Sequence, residues 1–125
     1  MIIFQSRILI TALSFILSFV FGIWLSKLGK PYNVVIFTFH KIVGAFAIIF
    51  TIITLYNLQK PIELNTLESI VIIVTGLLLV ATFVSGALLS IEKISIDFML
   101  PLHKISSIVL VVFTSITFYL LMNSK

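Results

Sequence analysis

Two histidines, His40 and His103, stand 63 residues apart, and each is followed by a lysine, Lys41 and Lys104. The same residues recur behind both. Phe50, Thr51, Ile53, Thr54, Tyr56 and Leu58 reappear as Phe113, Thr114, Ile116, Thr117, Tyr119 and Leu121. The shared pattern, His-Lys-x8-Phe-Thr-x-Ile-Thr-x-Tyr-x-Leu, holds eight identities without a gap. Upstream, Gly22, Leu25 and Ser26 correspond to Gly86, Leu89 and Ser90 at an offset of 64. This spacing predicts two tandem repeats, the first over about 8–60 and the second over about 67–122, within one domain spanning the chain.

A helix turns about 100° per residue. Relative to His40, Gly44 then lies near +40°, Ala47 near −20°, Thr51 near +20° and Thr54 near −40°, on the order of one face. The second repeat has His103, Ser107, Leu110, Thr114 and Thr117 on the same stripe. Small and weakly polar residues gather where apolar helices meet, so both stripes are expected to face inward.

Two imidazoles at one depth on opposite sides of a pseudo-twofold axis are what a six-coordinate haem requires, one nitrogen on each face of the iron. His40 and His103 are therefore the candidate axial ligands of one haem b. Gly44 and Ser107, one turn further on, would leave room for the porphyrin edge. Lys41 and Lys104 would neutralise propionates directed toward the near surface, since long side chains snorkel to the interface. The expected use is electron transfer or redox sensing, an electron carrier or accessory subunit rather than a stand-alone enzyme. The residues fit other readings too. A neutral His two turns inside a helix can simply bond to a neighbouring helix, and the chain would then be a non-catalytic accessory or assembly subunit of a larger membrane complex. A small transporter or channel with a His-lined path is a third reading, although only Thr and Ser continue below the His level.

Other chemistry is excluded more firmly. Without cysteine there is no disulfide, thiolate site or covalent haem attachment. Two histidines leave a bare zinc or copper ion short of ligands. The four acids, Glu63, Glu68, Glu92 and Asp97, fall at loops or segment ends, so none can orient a histidine as a base or serve as a midspan proton carrier.

The elements that must position these residues are membrane spans. Hydrophobic residues make up 61% of the 125 and charged ones only 10%, with mean hydropathy +1.32. A soluble surface needs about 25% charged residues. In lipid the backbone must satisfy itself, which selects helices here, because no alternating ten-residue strand pattern appears. The fold class expected is all-α, an integral membrane four-helix bundle of two tandem hairpins with the same orientation. The spans are read as about Ile3–Ser26, Val34–Leu58, Leu67–Ser90 and Asp97–Met122. The first is longer than a signal-peptide core and is read as a retained helix. Gly29, Lys30 and Pro31 break the first turn, Lys60-Pro61 ends the second span, and Asn65 or Thr66 caps the third with Glu68 in its first turn. Asp97 is the expected cap of the fourth, with Pro101 tolerated in its opening turns. The net charge of +4 is scattered among segment ends, which speaks against nucleic acid as a partner.

In this pattern of paired transmembrane histidines on tandem hairpins, the chain resembles the small four-helix membrane b-type cytochromes, in general form the cytochrome b561-like families. That resemblance implies a haem-binding bundle working with a membrane redox complex or quinone. Those families carry four histidines and two haems, and this chain has two histidines, so one bis-His haem is the most it implies. The His-Lys pattern is also similar to small uncharacterised bacterial four-span proteins, which implies a bacterial inner membrane. The His side carries Lys27, Lys30, Lys41, Lys93 and Lys104 against Arg7, Lys60 and Lys125 opposite, so it is expected to be cytoplasmic, with both termini on one side. A homodimer is compatible with all of this.

Overall fold

The structure is a computed structural model and describes residues 2–29, 31–60, 62–91 and 97–124. It has four helices: α1 (Ile2–Leu28), α2 (Val34–Gln59), α3 (Thr66–Ser90) and α4 (Met99–Asn123). All four are long and apolar enough to cross a membrane. At 1.5 Å per residue they run roughly 38–41 Å, which exceeds the ~30 Å of hydrocarbon. The described residues contain no strand.

The chain divides into two compact units, Met1–Asn57 and Leu58–Lys125. Each is essentially one helical hairpin. In the first, contacts pass from Phe21 stacked on Phe39 near the turn to Thr11 beside Thr54 at the far end, so α1 and α2 are antiparallel. In the second, contacts run from Ser85 and His103 near the turn to Glu68 and Ser124 at the other end, and α3 and α4 are antiparallel too.

Helix boundaries follow from how the first donors and last acceptors of each helix are satisfied. Asn33 caps α2, its side-chain oxygen accepting from the amides of Val35 at 3.0 Å and Ile36 at 3.2 Å. Asn65 caps α3 in a full capping box: its side chain accepts from the Glu68 amide at 2.8 Å, and the Glu68 carboxylate accepts from the Asn65 amide at 3.0 Å. Glu68 is buried and also accepts from the Ser124 hydroxyl, which ties the start of α3 to the end of α4. Gly29 ends α1 at φ 72°, a left-handed conformation that costs glycine nothing, and its amide donates to the Leu25 carbonyl at 3.0 Å.

Asp97 is not the cap of α4. Phe98 takes that position without a side-chain bond, and α4 begins at Met99. Pro101 explains the shift. A cap at Asp97 would make Pro101 the first residue whose N–H bonds within the helix, and proline has none. One residue later, Leu102 fills that role and donates to the Phe98 carbonyl at 3.0 Å, while Pro101 falls among the positions that lack an intrahelical acceptor. Lys30, Pro61, Glu92, Lys93 and Lys125, which entered the turn assignments and the charge count, lie outside the described residues.

Packing inverts the soluble pattern. The buried polar residues are mostly hydroxyls: Thr11, Thr51, Thr54, Thr75, Thr82, Ser85, Ser106, Thr114 and Thr117. Large apolar side chains such as Leu13, Ile16, Phe46, Ile73, Leu77, Val80 and Ile108 are exposed. In α3 the buried residues Glu68, Val71, Thr75, Leu79, Thr82 and Ser85 recur every three or four positions and form one stripe. An apolar exterior with hydroxyl-rich contacts is stable in lipid, where outward leucine costs nothing and polar atoms must pair inside.

Replacing Asn65 with Ala removes the cap and its half of the box. Denaturant unfolding in detergent is expected to show a loss of about 1 kcal/mol, whereas Asn33→Ala should cost a similar amount through α2.

Candidate functional site

Each histidine is seated within its own hairpin, and in the same way. His40 lies on α2 and its Nδ1 is 2.9 Å from the carbonyl oxygen of Ser18 on α1. His103 lies on α4 and its Nδ1 is 3.1 Å from the carbonyl oxygen of Thr82 on α3. A carbonyl can only accept, so Nδ1 must carry the proton and donate. In a neutral imidazole the lone pair then belongs to Nε2. Both side chains are half-buried.

A glycine receives each ring. A Cβ placed on Gly22 would stand 3.0 Å from His40 Cε1, and one on Gly86 would stand 2.9 Å from His103 Cε1. The second distance is shorter than side chains tolerate and the first is at the edge of that limit, so glycine lets the imidazole edge lie against the facing helix without a shift while Nδ1 reaches a carbonyl one turn earlier. The repeat marks Gly22 and Gly86 as counterparts, and helical periodicity alone does not connect them with the histidines. The signal was present in the repeat, since glycine and histidine recur together.

The second unit adds hydroxyls around its histidine. Ser85 Oγ lies 3.1 Å from His103 Nδ1 and donates to the Thr82 carbonyl, also at 3.1 Å. The Thr82 hydroxyl donates to Ser106 Oγ at 3.2 Å, and Ser106 Oγ donates to the His103 carbonyl at 3.2 Å. Thr82, Ser85 and Ser106 are all buried. Further along, Thr75 and Thr117 meet at 3.0 Å, each within 2.7 Å of a carbonyl one turn back. Each hydroxyl has one proton, so one bridges the helices while the other bonds back.

The remaining expected site residues are placed as follows. Lys41 is exposed, and its Nζ sits 4.7 Å above the Phe37 ring, one turn toward the start of α2. Lys104 is exposed. Gly44 faces α1, where an added Cβ would stand 3.4 Å from Ser18 Oγ, so the space beside it is occupied by that hydroxyl. Ser107 is half-exposed and its hydroxyl donates to the Lys104 carbonyl at 2.8 Å. The buried hydroxyl one turn from His103 belongs to Ser106. Of the stripe's other members, Ala47, Thr51, Thr54, Leu110, Thr114 and Thr117 are buried.

Among the described residues no group of three or more His, Cys, Asp or Glu could hold a metal ion. A shallow groove on the first unit, lined by Leu13, Leu17, Ile42 and Phe46 among others, is apolar and carries no titratable group. Comparison with family models, with curated proteins and with solved structures finds no match.

The glycine seats make a sharp prediction. Gly22→Ala and Gly86→Ala force the ring away and are expected to destabilise the protein by about 1–3 kcal/mol. Gly76 has nothing within 4 Å of the corresponding point. Gly76→Ala is therefore expected to leave stability unchanged or raise it by up to about 1 kcal/mol through helix propensity. Unfolding of the three variants in one detergent checks the contrast.

Proposed function

We propose that this chain is a membrane b-type haem protein in which Nε2 of His40 and Nε2 of His103 take the two axial positions of one haem b, for electron transfer or redox sensing. The observation that carries the reading is the bond from each Nδ1 to a backbone carbonyl, Ser18 for His40 and Thr82 for His103. Histidines that ligate a metal typically donate their other ring N–H to a carbonyl or carboxylate, which fixes the tautomer and the ring's orientation. Two such nitrogens are too few for a bare ion but sufficient for a macrocycle that brings four donors of its own.

We read the architecture as a four-helix bundle of two tandem hairpins with the same orientation. Support comes from contacts that recur at the repeat's own offsets. Gly22 against His40 is matched by Gly86 against His103, and the pair Thr11 and Thr54 by Thr75 and Thr117. Two like-oriented hairpins would put both histidines at one depth, near the end where Lys41 and Lys104 extend toward the headgroups. When bound, the haem would supply one-electron Fe(III)/Fe(II) chemistry. The chain's own part would be to fix each imidazole in rotation through its Nδ1 bond, with Lys41 and Lys104 as the cations that would meet propionates. Its redox partner would be a membrane redox complex or a quinone.

The glycine seats also favour a second reading, in which each histidine only bolts its hairpin together and the chain is an accessory subunit of a larger assembly. An absorption spectrum separates the two. Purified from cells supplied with haem, the protein is expected to carry one haem b per chain with low-spin bands, lost in His40→Ala and in His103→Ala. A colourless protein, or colour that survives both substitutions, supports the accessory reading instead.

A further inference from the structure

The two histidine seats are alike in backbone and unlike in side chains. Around His103 stand three buried hydroxyls, Thr82, Ser85 and Ser106, joined to one another and to the histidine. At the repeat offsets their counterparts around His40 are Ser18, Phe21 and Val43. Phe21 has no acceptor to offer, and its ring stacks on Phe39 at 5.8 Å. Ser85 has one proton, and it goes to the Thr82 carbonyl, so toward His103 its oxygen acts as acceptor. His103 Nδ1–H thus points at two oxygens, the Thr82 carbonyl and Ser85 Oγ, both at 3.1 Å.

We infer that Ser85 is a positioning residue for His103, holding its Nδ1–H in a two-acceptor bond and so raising the electron density that Nε2 presents to a metal. The consequence for a metal rests on the haem reading above, whereas the hydrogen bond itself does not. Acceptors on the distal N–H make an imidazole a more basic ligand. A more basic ligand stabilises Fe(III) over Fe(II), so it lowers the reduction potential. Reduction here adds one electron from the titrant to the iron, and Nδ1 keeps its proton throughout. Phe21, which stands at the position of Ser85 in the first repeat, cannot play this part for His40.

The test uses the full chain in detergent with ¹⁵N-labelled histidine. In Ser85→Ala the Nδ1–H proton resonance of His103 is expected to move upfield while that of His40 stays in place, and Ser85→Thr, which keeps the hydroxyl, should restore it. In haem-loaded protein, a dithionite titration should give Ser85→Ala a more positive midpoint than the wild type, with Ser85→Thr close to the wild type. An unmoved His103 resonance overturns the inference even where haem is bound, and so does an unchanged or more negative midpoint. If the wild type takes up no haem, the proposed function fails, and the resonance alone decides whether Ser85 positions His103.

Discussion

In hydrocarbon a polar group that finds no partner inside the protein finds none at all, and leaving it so costs several kcal/mol. This constraint shapes both hairpins. The backbone is spent on four helices. Most serine and threonine hydroxyls turn back to carbonyls one turn earlier, as Thr51 does to Ala47 at 2.7 Å, or pair across the hairpin, as Thr82 does with Ser106; among the described residues the buried hydroxyl of Thr114 is the exception and bonds to neither. The outward faces are left to Leu, Ile, Val and Phe. A cross-helix hydroxyl pair in lipid contributes on the order of 0.6 kcal/mol, so no single pair holds a hairpin together. Their value lies in register, because a shifted helix would face hydroxyls with isoleucines.

Histidine meets the same constraint with two nitrogens instead of one oxygen. Nδ1 is satisfied by reaching across to a carbonyl of the neighbouring helix, and that reach requires the ring edge to pass where a side chain would ordinarily stand. Gly22 and Gly86 clear the path. Tautomer, ring orientation and helix approach are therefore one arrangement. In a neutral ring this places the lone pair on Nε2 in both hairpins, which is the state a metal ligand needs. The hydroxyls that differ between the hairpins then act on top of a shared backbone device.

Much of this was legible in the residues. The four spans follow from composition and breakers, and their ends fall within about two residues of expectation, with Asn65 and Glu68 forming the box that their spacing suggests. Ala47, Thr51 and Thr54 were readable as an inward stripe because helical periodicity alone places them. Two features were not readable that way. The choice between Ser106 and Ser107 turns on a rotation of about 100°, and only the cross-hairpin partner Thr82 decides it. The pairing of Gly22 with His40 depends on the register between two helices, which periodicity within one helix does not contain. Cap preference alone points to Asp97, and the amide that Pro101 lacks moves the cap to Phe98.

The proposed haem site requires that the two imidazoles serve one haem together. Its most direct test is a titration of the purified apo-protein with haemin in detergent, followed by absorbance. Uptake should saturate at one haem per chain, and the product should be low-spin, as two imidazole ligands require. Uptake that never saturates, or that proceeds equally in a chain lacking both His40 and His103, would contradict it.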